Sequence, residues 1–213
     1  MFVVRHGNVL DHQGDVVLTE EGRHNAFDAG SRLAEHIPDG AQVRVLCSPT
    51  VRTRETAEEL ALGLVSIPHL HEKANVEIPV PRVEPAIRNL EIIVDGHPVL
   101  PTDAMHPSLP PSAEQDSFLQ GFWQADEDRI GYWMTHLSES AESPAAVAAR
   151  LDQCFESLLA SERAEIFILV THSGPMRAFL RQDFGQDPGE PDYCEWFHVN
   201  KERVDYRGET AAR

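Results

Sequence analysis

The chain has 213 residues, 41% of them hydrophobic, and a formal net charge of −17. That length and composition suit one compact domain with a full core, and so acidic a surface argues against nucleic acid and anionic membrane as partners. The three cysteines, Cys47, Cys154 and Cys194, are odd in number and follow no metal-ligand spacing, which argues against a disulfide framework or a zinc site and fits a reducing compartment. No signal segment precedes Phe2. The longest clear apolar run, "IFILV" at 166–170, is too short to span a bilayer. The chain reads as a soluble, cytoplasmic protein, and nothing in it indicates an oligomer.

In chain order, "MFVV" reads as a buried strand that runs into Arg5, His6 and Gly7. A helix follows, with Thr19 as N-cap and Glu20 and Glu21 in its first turn. Its apolar face is Ala26, Gly30, Leu33, Ala34 and Ile37, and Pro38-Asp39-Gly40 stops it. "VRVL" at 43–46 predicts a second strand. A second helix is expected after Ser48 as N-cap, with Pro49 at its first position. "VEIPV" at 76–80 reads as a weak edge strand because of its proline. Residues 96–115 read as a Pro-rich loop, and 118–137 as short helix carrying several aromatics. Ser143 and Pro144 open a strong helix with Val147, Leu151, Phe155, Leu158 and Leu159 on one side. "EIFILV" is a third clear strand, followed by Thr171-His172-Ser173-Gly174 and another helix, and "CEWFHVN" reads as a last strand.

Strands alternating with helices predict an α/β fold with a mainly parallel sheet. Ligands of such sheets bind beyond the carboxyl ends of the strands. Three strands end in polar motifs, which would gather Arg5, His6, Arg52 and His172 on one edge. Arginine offers a planar fork for phosphate oxygens. Neutral imidazole is a competent nucleophile toward phosphorus, and a second histidine, protonated beside the anion, would stabilise charge building on the equatorial oxygens. Gly7 and Gly174 would let backbone approach the ligand closely. The nine other histidines are assigned to surface or packing; His69, His71, His97 and His106 lie in loops whose spacing supports no named metal site.

At these residues the chain resembles the histidine phosphatase superfamily, the phosphoglycerate mutase-like proteins. The resemblance rests on "VVRHG", "LTEEG" at 18–22, "SPTVRTRETA" at 48–57, "ESPAAVAAR" and "VTHSG", in the family's order, and it covers most of the chain except about 92–137. It implies a three-layer α/β/α sandwich around a mostly parallel sheet, one domain over 1–213 with a loop-rich insertion or cap at about 92–137, and no metal or organic cofactor. It implies that His6 is the nucleophile that becomes phosphohistidine. Arg5, Arg52 and His172 complete the phosphate pocket, with Asn8 and Ser173 as further phosphate-binding residues.

Two departures bear on function. The family's mutases follow Arg-His-Gly with Glu and a nearby Trp-Asn, whereas this chain has Asn8 and no such pair, which argues against a glycolytic mutase. Family phosphatases carry a general-acid Glu after the third strand, where "AIRNLEI" puts Asn89, and an amide cannot supply a proton to an alkoxide. Glu91 is then the leading acid, ahead of Glu84, with Asp11 and Asp15 as outsiders; a chain with no acid is the alternative. The His-Asp arrangement of acid phosphatases is closed, because Ser173 follows His172. The expectation is a phosphatase acting on a small phosphomonoester. The alternatives are a phosphohistidine or phosphoprotein phosphatase and a weakly catalytic, phosphate-binding regulatory member. The aromatics Phe118, Phe122, Trp123, Tyr132 and Trp133 either cover the pocket or pack the core beneath a long loop.

Overall fold

The computed structural model describes residues 1–12, 14–38, 41–66, 80–99, 101, 115–160 and 165–213. Strand β1 (Phe2–Arg5) lies at the middle of a seven-stranded sheet with β2 (Gln42–Cys47), β3 (Arg82–Val83), β6 (Glu165–Thr171), β7 (Trp196–Val199), β8 (Arg203–Tyr206) and β9 (Glu209–Ala212). The spatial order is β3-β2-β6-β1-β7-β8-β9. From β3 to β1 every pairing is parallel, and from β1 to β9 every pairing is antiparallel. The α/β class therefore stands with a mixed sheet, the parallel half of which carries the motifs.

Side-chain alternation along the strands builds the layers. Phe2, Val4, Val45, Ile168 and Val170 pack with Leu33, Leu60 and Leu64 of α1 (Glu20–Ala34) and α2 (Val51–Val65). Val3, Leu46, Phe167 and Leu169 face the other way, into a core with Leu151 and Phe155 of one helix and Phe179 of another. A two-stranded ribbon, β4 (Ile92–Val94) and β5 (His97–Val99), and two short helices, α3 (Ser117–Gln124) and α4 (Arg129–Thr135), precede those helices, α5 (Pro144–Leu159) and α6 (Ser173–Phe184). Phe118, Phe122 and Trp133 are buried in the second core, and Trp123 and Tyr132 pack against it. Among the described residues no helix is long and apolar enough to cross a membrane.

Several elements differ from expectation for local reasons. Helix α2 starts at Val51 after Thr50, not at Pro49 after Ser48. The Ser48 N–H still donates to Val170 O, prolonging the sheet, and Thr53 Oγ1 donates to Ser48 O at 2.6 Å. Helix α1 ends at Ala34, and tighter turns carry the chain on to Ile37. The neighbour of β2 is Arg82–Val83; apart from Val80, the "VEIPV" segment lies outside the described residues. The start of the supposed loop at 96–115 is a hairpin whose Asp95-Gly96 turn has φ of 50° and 76°, the left-handed pair that a tight hairpin needs. "CEWFHVN" is not the last strand: β7 opens a meander that turns again at Arg207-Gly208.

Helices α1 and α2 cross in direct backbone contact. A Cβ on Gly30 would lie 2.1 Å from Leu60 O, and one on Gly63 2.0 Å from Phe27 O. Neither obstacle is a flexible side-chain end, so the helices would have to separate. Gly30→Ala or Gly63→Ala is expected to cost about 2–3 kcal/mol, read as a lower urea midpoint with an unchanged m-value.

Candidate active site

The site begins where β1 stops. Arg5 pairs with Thr171 in the β1–β6 register, and the His6 N–H donates to Thr171 O at 3.0 Å. His6 and His172 thus leave adjacent strand ends level with one another, their rings 5.3 Å apart. His6 Nδ1 lies 2.8 Å from Gly7 O. A carbonyl oxygen only accepts, so Nδ1 carries the proton and Nε2 keeps its lone pair. The Gly7 N–H donates to Thr56 Oγ1 at 2.9 Å, and that hydroxyl donates to Arg52 O at 2.6 Å. These bonds give a physical reason for the spacing from Arg52 to Thr56 in α2. A Cβ on Gly7 would lie 2.6 Å from Gly22 O, and one on Gly22 2.2 Å from Asn8 O. The motif "LTEEG" is therefore the seat on which the Arg-His-Gly turn rests, with Thr19 capping α1 and accepting from the Gly22 N–H.

Arg52 and His172 are both nearly inaccessible, at 1% and 2% exposure. Ser48 Oγ is 2.9 Å from His172 Nε2, and Arg52 Nη2 is 3.5 Å from His172 Nδ1. A guanidinium only donates, so Nδ1 is the lone-pair side and Nε2–H donates to Ser48. Burial, then Arg52, His6 and Arg5, push the His172 pKa well below its ordinary 6.5; burial, Arg52 and Arg5 do the same to His6. These shifts favour the neutral form of both rings at pH 7. The protonated His172 expected from sequence therefore requires an anion that offsets the two arginines. His172 is also the N-cap of α6, which turns the first N–H groups of that helix toward the same place.

Arg5 is held from a loop far along the chain. Its Nη2 pairs with Glu190 Oε1 at 2.9 Å, its Nη1 donates to Pro191 O, and its guanidinium lies 4.2 Å over the Tyr193 ring. Glu190 also takes Arg177 Nη1 at 3.1 Å. Arg177, 1% exposed, binds Asp128 and Asp187 as well, which ties α6 to the N-cap of α4.

The wall opposite is the segment at 86–91. Arg150 Nη1 donates to Ala86 O at 2.6 Å and Arg88 O at 3.1 Å, and its Nη2 pairs with Glu142 at 3.1 Å. Thr171 Oγ1 donates to Ile87 O at 2.6 Å. The "ESPAAVAAR" motif is thus a clamp on this wall: Glu142 and Arg150 grip it while Ser143 caps α5. The wall presents Asn89, whose Oδ1 accepts from Leu90 N at 3.0 Å. Glu91 points elsewhere: it pairs with Arg88 at 2.7 Å, which holds its pKa below the usual carboxylate value. Glu84 caps the short turn at Pro85–Ile87. Asn8 Nδ2 reaches Glu21 at 3.3 Å, and Asp15 accepts from Val51 N at 2.8 Å.

Between these walls lies a cavity of about 220 Å³. Arg5, His6, Arg52, His172 and Ser173 form its base, as expected, with Asn89 at the side; Glu91, Glu84, Asn8, Asp11 and Asp15 are not among its lining. The sequence reading singled out neither His12, Glu190 nor Asp126–Ile130; Phe122, which it offered as pocket cover or core, both lines the cavity and is buried in the second core. His12 carried one usable signal, its place six residues beyond His6 in the loop leaving β1. Glu190 carried none, being brought in by the 185–195 loop. Among the described residues no group of three or more His, Cys, Asp or Glu side chains is set to hold a metal.

Two histidines and two buried arginines line one cavity at the carboxyl edge of the parallel strands of a phosphoglycerate mutase-like α/β fold. The chain belongs to the histidine phosphatase superfamily, branch 1, whose family model matches residues 1–84 and 112–212. Among solved structures it is similar to mycobacterial hydrolase 1 (20% identity, 99% of this chain and 98% of that one, TM-score 0.60). A mycobacterial glucosyl-3-phosphoglycerate phosphatase in complex with inorganic phosphate matches at 22% identity over 92% of this chain and 87% of that one, TM-score 0.59. YhfR of Bacillus stearothermophilus matches at 19% identity over 99% and 93%, TM-score 0.59. No curated protein matches.

The two depressed histidines make stability depend on pH. Below the ordinary value of 6.5 the unfolded chain takes up protons that folded His6 and His172 refuse, so stability falls as pH drops. Each contributes a slope of up to about 1.4 kcal/mol per pH unit. Urea midpoints measured from about pH 7.5 to 5.5 are expected to fall, and less steeply by about one proton in His172→Asn. His12 and His198 act in the same direction, so the difference between wild type and variant isolates His172.

Proposed function

We propose that the protein is a phosphatase that hydrolyses phosphomonoesters through a phosphohistidine on His6. The observation that carries this is the Nδ1–Gly7 O bond, which leaves His6 Nε2 unprotonated in a cavity lined by Arg5 and Arg52. Nε2 attacks phosphorus, and the bond to the leaving oxygen breaks. Arg5 and Arg52 hold the equatorial oxygens, where transition-state charge gathers. His172 and the first N–H groups of α6, near Ser173, take the remaining oxygen. Water then attacks the phosphohistidine and releases phosphate. Family membership and the likeness to phosphatases support the reading. Asn8, turned toward Glu21, has no part in it.

A phosphohistidine or phosphoprotein substrate is a second reading. Asn89 favours it, because the wall offers an amide where an alkoxide leaving group needs an acid. Both readings pass through phospho-His6, and the choice of leaving group separates them. A screen of alkyl, aryl and imidazole phosphates is expected to show hydrolysis that falls at least about 10³-fold in His6→Ala. Acid quench with a ³²P-labelled aryl phosphate is expected to trap label on wild type and none on the variant. Phosphate binding without label or turnover would instead identify a regulatory binding module.

A further inference from the structure

The mechanism above leaves the departing oxygen without a proton, and among the described residues the groups around the cavity narrow the source. Asn89 has none to give. Asp126 is paired with Arg129, Asp128 with Arg177, and Glu190 with both Arg5 and Arg177. Each of the three carboxylates is thus engaged by an arginine. Glu127 is exposed at the mouth. His12 is different: it lines the cavity beside His6, ring centroids 6.3 Å apart and steeply inclined at 68°. Both rings border the same space, where a bound group can meet them. His12 Nε2 is 3.3 Å from the Tyr193 hydroxyl, and Tyr193 is the ring beneath Arg5. The phosphate-gripping arginine and the His12 ring therefore share one support.

We propose that His12, oriented by Tyr193, is the general acid and base of the phosphatase reaction, in the place that sequence would give to a glutamate after the third strand. The inference rests on the proposed activity. As the His6 Nε2–phosphorus bond forms and the phosphorus–oxygen bond to the leaving group breaks, the proton of the His12 imidazolium passes to the departing oxygen. In the second step a water oxygen attacks phosphorus, its proton goes to neutral His12, and the Nε2–phosphorus bond breaks. The protonated ring is restored and inorganic phosphate leaves. The charges that face His12 are Arg5 and Arg52, which oppose its proton, and Glu190 and Asp11, which favour it, with neutral His6 and His172 nearby. Burial and the two arginines hold the His12 pKa below its ordinary 6.5, and a phosphate dianion bound against the ring favours the protonated form.

The test compares kcat/KM for an alkyl phosphate, whose alkoxide needs a proton, with that for 4-nitrophenyl phosphate, whose phenolate leaves without one. His12→Asn and His12→Gln are expected to lose about 10²-fold or more on the alkyl ester and to stay near wild type on the aryl ester. The basic limb of the alkyl pH profile disappears with them. Equal losses on both esters make His12 a phosphate-holding residue and overturn the assignment. So does an unchanged alkyl rate, or a selective alkyl loss in Glu127→Gln instead. Absence of any His6-dependent hydrolysis of either ester by wild type overturns the phosphatase reading and this inference with it. Tyr193→Phe, which keeps the ring beneath Arg5 and removes the hydroxyl at His12, is expected to reproduce part of the alkyl loss.

Discussion

The parallel pairing of β1 with β6 is the constraint on which the site depends. It ends in one hydrogen bond, from the His6 N–H to Thr171 O. That bond fixes the height at which both chains leave the sheet, and so places two imidazoles from opposite ends of the sequence in ring contact. Pairing of β2 with β6 repeats the device one strand over, with Ser48 N–H donating to Val170 O. Ser48 is then level with His172 and bonds its ring, and α2 brings Arg52 over it. A sheet that slipped by one residue would turn every one of these side chains to the other layer.

Packing two guanidinium groups and two imidazoles in the same buried space is costly unless charge is supplied from around it. The chain supplies it from outside the pocket floor. Glu190 reaches Arg5 from the 185–195 loop, and Arg177 holds Glu190 in turn while it also gathers Asp128 and Asp187. Arg150 does the equivalent on the opposite wall, where its guanidinium satisfies backbone carbonyls that no sheet or helix would satisfy. The local cationic pocket in a chain of net charge −17 is therefore no contradiction. Asp126, Asp128, Asp187 and Glu190 beside it are paired with arginines.

The strands, the two α-helical layers and the base of the pocket were legible because each is encoded locally. Short apolar runs marked β1, β2 and β6, and each ran on into its polar motif. The meander β7–β9 was half seen, since the turn at Arg207-Gly208 lies between short strands whose alternation is weak. The Asp95-Gly96 hairpin was in plain view as an Asp-Gly pair and was absorbed into a Pro-rich stretch. The expected acid, Glu91, failed for a spatial reason: proximity in sequence to Asn89 says nothing about direction, and Arg88 draws the carboxylate away from the cavity.

What the sequence determined by itself was the ordered set of motifs, hence the family, the fold class and five residues that line the cavity. Those follow from strand ends, and strand ends are local. Only the tertiary structure decided the second ring of residues: Tyr193 under Arg5, Glu190 against it, Arg177 behind, and His12 folded back over His6. These come from loops, which have no periodicity to betray where they go. Their positions are set by which buried charges and backbone groups must find partners once the sheet has closed.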